Sequence, residues 1–230
     1  MDSSPTGTLF VVATPIGNMQ DITFRAVECL KFVDIVACED TRHTGLLFSR
    51  LGFKKKMISY NDINAQKKVL HLISLLLDCQ NVALVSDAGT PGVSDPAYRL
   101  VKSAVENNIP VIAIPGPSAV LCALVVSGFP LDRFVFEGFL PPKGAKRTKS
   151  ILYLKYEPRT VIVYEAPHRI INLLQSILDI IGDREVSVSR EMTKIFEETI
   201  RGRVSVVLEK LKSTKPRGEY TVVIRGASEG

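Results

Sequence analysis

One stretch constrains this chain more than any other: Ser86-Asp87-Ala88-Gly89-Thr90-Pro91-Gly92-Val93-Ser94-Asp95-Pro96. An unbroken apolar run, residues 82–85, enters it and has the length of a buried strand. Apolar residues at helical spacing leave it, at Ala97, Leu100, Val101, Ala104 and Val105, with a proline where the helix begins. The pattern is strand, tight loop, helix. Glycines in such a loop let a ligand approach the backbone, and prolines hold the loop in one shape. In open α/β sheets ligands lie just outside the carboxyl ends of the strands. A stiff connection that binds nothing is the competing reading of the same composition.

The same unit recurs along the first half. Residues 8–13 read as a buried strand ending in Thr14-Pro15-Ile16-Gly17-Asn18, and residues 23–32 as a helix capped by Thr23 or Asp21. A strand at 34–38 runs into Glu39-Asp40-Thr41-Arg42-His43. Residues 46–51 then read as a short helix, 57–60 as a strand and 65–77 as a helix. A strand at 110–114 ends in Pro115-Gly116-Pro117-Ser118-Ala119, which opens a helix running to Val126. Buried strands alternating with helices predict a parallel sheet covered on both faces, with every special loop along one edge. The texture changes near Ser127-Gly128-Phe129-Pro130. Beyond it short strands are expected at 134–137, 160–164, 185–189, 198–202 and 219–225, and helices at 150–156, 170–181 and 204–211. The expectation is a two-domain α/β chain, mostly parallel in residues 1–128 and mixed in residues 129–230.

With 46% hydrophobic and 23% charged residues over 230 positions, a packed core is affordable. A net charge of +5 permits a nucleic-acid partner without demanding one. Cys29, Cys38, Cys79 and Cys122 form no C-x-x-C pair and read as buried thiols of a reducing compartment; with only His43, His71 and His168 besides, no metal site is expected. The start, Met1-Asp2-Ser3-Ser4-Pro5, has neither basic region nor apolar core, and no run reaches the length of a membrane span, so a cytoplasmic protein is expected.

The loops carry the chemistry. Thr14 to Asn18 lacks the glycines of G-x-G-x-x-G, and no phosphate-binding G-x-x-x-x-G-K-[ST] occurs, so neither a dinucleotide nor a nucleoside triphosphate is supported. Glu39-Asp40-Thr41-Arg42 sets two carboxylates, a hydroxyl and a guanidinium at a strand end. Pro115 to Ala119 offers free backbone N–H groups at a helix start, suited to an anion. Tyr164-Glu165-Ala166-Pro167-His168-Arg169 holds the histidine in the most chemical setting, and Arg190-Glu191-Met192-Thr193-Lys194 repeats the arrangement. Lys143, Lys146, Arg147 and Lys149 make a basic loop that suits a nucleic-acid backbone. For each, a solvated or merely structural loop is the alternative.

Taken in order, these motifs, with Gly138-Phe139-Leu140-Pro141 and Gly218-Glu219, resemble the ribosomal RNA small subunit methyltransferase I family of the tetrapyrrole methylase superfamily over residues 8–226. The resemblance implies S-adenosylmethionine as methyl donor and a cytidine ribose 2′-hydroxyl of small-subunit ribosomal RNA, or the 30S particle, as acceptor. It also implies a two-domain fold with the donor in a cleft between the domains, and a homodimer. Carried onto this chain, the donor would meet Ile16, Asp87, Gly89, Thr90, Ser118 and Ala119 from the first domain, and Tyr164, Glu165 and Ser189 from the second. Related proteins usually continue past the last strand in a small helical extension, whereas this chain stops at Gly230.

A ribose hydroxyl is a weak acid and gains from a nearby proton acceptor. Glu39, Asp40 and His168 are the candidates. Arg42, Arg169, Arg190 and Lys194, with Lys143, Lys146 and Arg147, would steer phosphates or lower the hydroxyl's pKa. A carboxylate paired with arginine is a poor base, which favours His168 or pure positioning. A tetrapyrrole or other small-molecule methylase, and a non-catalytic RNA-binding assembly factor, are the alternatives.

Overall fold

The computed structural model describes residues 5–227; the chain start and the chain end read above lie partly outside them. The chain divides into two compact units, one up to Ser118 and one from Ala119.

The first unit is a five-stranded, wholly parallel sheet in the order β3-β2-β4-β1-β5, with β1 at Leu9–Val12, β2 at Ile35–Cys38, β3 at Lys56–Ser59, β4 at Val82–Val85 and β5 at Val111–Ile114. Side chains alternate between its faces. Val82 and Leu84 pack with Leu72 and Leu76 of α3 (Ala65–Leu77) and Leu100 and Ala104 of α4 (Ala97–Glu106). Ala83 and Val85 pack with Ala26 and Leu30 of α1 (Phe24–Phe32) and Phe48 of α2 (Thr41–Arg50). Both faces are therefore covered, which is why the strands read as continuous apolar runs. Thr23 caps α1, its side chain accepting the Ala26 N–H at 3.0 Å.

This pattern singles out β4. Its helix leaves on one face, while the helices after its two neighbours, β1 and β2, lie on the other. Adjacent strands whose connections part to opposite faces leave a crevice at their carboxyl ends. A crevice thus flanks β4 on each side, and the loop after it is Ser86–Pro96.

The second unit has a mixed sheet, order β6-β7-β10-β8-β9: β6 Phe134–Phe139, β7 Thr160–Glu165, β8 Glu185–Arg190, β9 Glu198–Arg203 and β10 Tyr220–Ile224. Only β6 and β7 are parallel. Val161, Val163, Val186, Val188, Val222 and Ile224 face α6 (Gly144–Tyr153), α7 (Ile170–Ile181) and α8 (Val204–Lys212). The opposite face meets α5 (Ala119–Ser127), which packs on β8 and β10. The change of texture near residue 128 therefore falls later than the division of the contacts. The helix 119–127 is apolar all round and belongs with the second sheet.

Two elements differ from the sequence reading. α2 begins at Thr41, not Leu46, so Arg42 and His43 lie on a first helical turn rather than in a loop. α6 begins at Gly144, so the basic segment is helix, not loop. Of the cysteines, Cys29 and Cys38 are buried and Cys122 is half-buried, but Cys79 is exposed. It sits in left-handed backbone (φ 62°) just past α3, where the chain turns out to solvent. Among the described residues no helix is long and apolar enough to cross a membrane.

Candidate active site

The loop after β4 is stitched to its neighbours on both sides. Toward β1, Thr14 and Gly89 exchange backbone hydrogen bonds, each N–H reaching the other's carbonyl at 3.0 Å. The Thr14 hydroxyl also donates to the Ser86 carbonyl at 3.2 Å. Gly89 has φ +82°, and an added Cβ would press on Ile16 Cγ2 at 3.3 Å, so glycine lets these loops close on each other. Toward β2, the Asp87 N–H donates to Glu39 Oε1 at 3.1 Å and the Asp40 N–H to Asp87 Oδ1 at 3.2 Å. The Thr90 hydroxyl donates to the Pro117 carbonyl at 3.1 Å, drawing in the loop after β5. Asp95 closes the turn: its carboxylate accepts the Gly92 N–H at 2.8 Å and the Ala97 N–H at 2.9 Å. Ile16, Glu39, Asp87, Gly89, Thr90 and Ser118 are thus gathered along one edge of the first unit.

The two carboxylates of Glu39-Asp40 differ. Asp40 caps α2, accepting the Arg42 N–H at 2.8 Å, and binds the Arg42 guanidinium through both oxygens at 3.2 and 2.9 Å. The guanidinium first, then the helix N–H, hold its carboxyl at about 2. Asp40 is therefore a poorer proton acceptor than an unpaired carboxylate, as its place beside Arg42 in the sequence led one to expect. Glu39 makes no pair with Arg42. Burial pushes its carboxyl up; the Asp87 N–H pulls it down, and the charges of Asp87, Asp95 and Asp62 push it up again.

In the second unit the motifs also share an edge. β7 and β8 both run antiparallel to β10, so their carboxyl ends lie together beside the start of β10; Tyr220 is paired with Glu165 on one side and Arg190 on the other. Phe139, at the end of β6, is level with Tyr164. The Tyr164 ring packs against Phe136 and Phe139 with centroids 4.9 and 5.5 Å away. Burial pushes its hydroxyl up to about 12, against a hydrogen bond from the Val120 backbone. The turn after β8 carries Glu191 and Thr193 at positive φ, and Lys194 reaches Glu191 at 2.9 Å and Glu219 at 3.5 Å.

Residues 8–207 match the family model of the tetrapyrrole (corrin/porphyrin) methylases. A ribosomal RNA small subunit methyltransferase I of Thermotoga maritima is 46% identical over 220 residues, covering 96% of this chain and 99% of that one. One from a Synechocystis species is 47% identical over 223 residues, covering 96% and 80%.

The chain belongs to the tetrapyrrole methylase family.

Solved structures agree on the fold. The methyltransferase CobJ superposes with a TM-score of 0.71 at 15% identity, covering 98% of both chains. A uroporphyrin-III C-methyl transferase from Thermus thermophilus, complexed with S-adenyl homocysteine, gives 0.67 at 18%, covering 95% and 97%. The two-domain methylase fold is thus present, with a parallel first sheet and a mixed second one.

Several residues expected to touch ligand also brace the second unit. Glu165 is 1% exposed; it lies 3.4 Å from Arg147 Nη1 and 2.7 Å from Arg169 Nη2. Arg147 is itself buried, and its Nη1 also reaches the Pro142 carbonyl at 3.1 Å, so it anchors α6 to β7 and cannot serve as a surface phosphate contact. Ser189 is fully buried, its hydroxyl 2.9 Å from that of Thr199 on β9. Arg190 pairs with Glu198 at 2.9 Å. Lys143, Lys146 and His168 are exposed. The pairing of Glu39 with the Asp87 backbone was beyond sequence reasoning, because no local pattern links residues 39 and 87.

Proposed function

We propose that this protein transfers a methyl group from S-adenosylmethionine to the 2′-hydroxyl of a cytidine ribose in small-subunit ribosomal RNA. The relatives' names supply the RNA substrate, and the donor suits the first unit's edge. A sulfonium and an ammonium are cations, and half-buried Glu39 and Asp87 offer carboxylates there while Arg42 is drawn away by Asp40. Ile16, Asp87, Gly89, Thr90 and Ser118 would hold the donor along this edge. Bound there, the donor would supply a methyl group already activated by positive charge, so positioning accounts for much of the rate.

Glu39 is the residue we assign to the proton. Its Oε1 takes the Asp87 N–H, and the hydroxyl proton would be accepted at Oε2. A raised carboxyl pKa makes a better acceptor near neutral pH. His168 is the competing acceptor. The observation that carries the reading is the separation of the two carboxylates, Asp40 paired and Glu39 not. The acceptor is taken as the 30S particle and the enzyme as a cytoplasmic homodimer; exposed Leu121, Val125 and Val126 on α5 support a second copy.

Transfer of tritiated methyl to 30S subunits and to naked ribosomal RNA tests the activity, with location of the methylated nucleotide by digestion. Labelling of a precorrin-like acceptor but no RNA would overturn it in favour of a small-molecule methylase.

A further inference from the structure

The helix that carries the basic segment presents more than charge. On α6, Arg147, Ile151 and then Leu154 are buried, which turns Lys146, Lys149 and Tyr153 outward at i, i+3 and i+7 on one face. The chain continues through a 3-10 turn, Leu154–Tyr156, that exposes Lys155 and Tyr156. Tyr153 is 70% exposed and Tyr156 is 78% exposed. Each ring has an ammonium over one face: Lys149 Nζ is 5.8 Å from the Tyr153 centroid and Lys155 Nζ 5.6 Å from that of Tyr156.

Two exposed aromatic rings thus lie three residues apart, each accompanied by a lysine. The helix is pinned from beneath by the buried Arg147–Glu165 pair, so this face is rigid. Its helical part spans about 15 Å at 1.5 Å per residue, the length of roughly four nucleotides at 3.4 Å spacing along one strand.

We infer that the outer face of α6 and the following turn is a platform for unpaired RNA, with Tyr153 and Tyr156 stacking on bases and Lys143, Lys146, Lys149 and Lys155 meeting phosphates. This rests on the RNA reading above and deepens it. One ring face carries a lysine, so a base stacks on the opposite face while its phosphate approaches the ammonium. Paired bases cannot stack this way, so the platform selects single-stranded segments or loops. Lys143 follows β6, whose end is level with that of β7, so the strand bound by the platform leads toward the turns after those strands.

The test is binding, by fluorescence anisotropy, of a single-stranded ribosomal RNA oligonucleotide and of its perfect duplex. The full chain is compared with Tyr153→Ala/Tyr156→Ala, Tyr153→Phe/Tyr156→Phe and Lys146→Ala/Lys149→Ala. The platform predicts preference for the single strand and a loss of roughly tenfold per stacked base in the alanine pair. It predicts recovery in the phenylalanine pair, and a salt slope reduced by about 0.7 for each lysine removed. The exposed positions leave thermal stability and S-adenosylmethionine affinity unchanged. If the alanine pair binds RNA as tightly as the parent chain, the platform is wrong while the activity stands. If the parent binds RNA through these rings yet methylates none, the activity is wrong while the platform stands. Tyrosine-dependent binding to phosphatidylserine vesicles with no binding to RNA overturns the platform and assigns the face to a membrane.

Discussion

Asp87 donates its backbone N–H to Glu39 Oε1 at 3.1 Å, across the crevice between β4 and β2. The contact holds the Glu39 carboxylate in one orientation without neutralising it. Glu39→Gln keeps an acceptor for that N–H and removes only the charge and the basic oxygen. If Glu39 takes the proton, methyl transfer at saturating S-adenosylmethionine falls by about 10²-fold or more, beyond any loss in donor affinity from the missing charge. The stability effect has the opposite sign. Burial raises the Glu39 carboxyl in the folded chain, so the folded state binds more protons than the unfolded one between the ordinary carboxylate value and the raised one. Stability therefore declines as pH rises through that window. Glu39→Gln abolishes the decline, and melts at neutral pH should show an equal or higher Tm. Full activity in this variant would move the proton to His168 or leave positioning alone.

Asp40 and Arg42 give a contrasting pair. Asp40 satisfies the first turn of α2, whereas the Arg42 side chain is 90% exposed. Arg42→Ala should barely change the melting temperature, since exposed ion pairs are weak. Asp40→Ala should lower it, and Asp40→Asn, a good cap, should restore it. The folded carboxyl sits at about 2, so this contribution is present above the ordinary aspartate pKa and is lost as pH falls toward 2. Loss of methylation in Asp40→Asn at unchanged Tm would mean that the carboxylate has a chemical role as well.

Gly116 tests whether contact between loops matters for the donor. An added Cβ would lie 2.9 Å from Ala13 Cβ, closer than real Cβ contacts. Gly116→Ala must push the loop after β5 off the end of β1, at about 1–3 kcal/mol. Calorimetric affinity for S-adenosylmethionine should fall with it. Gly45→Ala is the control. It lies within α2, where the new methyl would meet only Met57 Cε at 3.7 Å, and it should stabilise the chain by about 0.4–1 kcal/mol with affinity unchanged. Equal donor affinity in both variants would separate this loop from the donor.

What could be read from the sequence follows the strength of local signals. β4, α3 and α7 match to the residue because an apolar run or stripe is bounded by turn residues at both ends. α2 was legible only from Leu46, since its first turn, Thr41-Arg42-His43-Thr44, is polar and offers no apolar period. The lysines around Arg147 imitate a solvated loop in the same way. Its burial depends on Glu165, a strand residue 18 positions later in the chain, which no local pattern reveals. The strand-end motifs were legible as motifs. Which of their charges face a ligand and which brace the frame was not, because that depends on pairings between distant loops.

The bracing is itself open to test. Glu165 lies between two guanidinium groups, Arg147 and Arg169, and its side chain and that of Arg147 are almost wholly removed from water. Two cations here share one anion. Removing the anion leaves both without compensation, whereas removing Arg147 leaves Glu165 still paired with Arg169 and accepting the Ala166 N–H at 2.9 Å. Glu165→Gln should therefore cost about 3–5 kcal/mol. Arg147→Met, which keeps the apolar stem, should cost clearly less, and Arg147→Met in the Glu165→Gln background should recover part of the loss. Denaturant unfolding of the three variants measures this order. The reverse order, with Arg147→Met the more damaging, would mean that α6 is held chiefly by the bonds from Arg147 to the Pro141 and Pro142 carbonyls, with the carboxylate secondary.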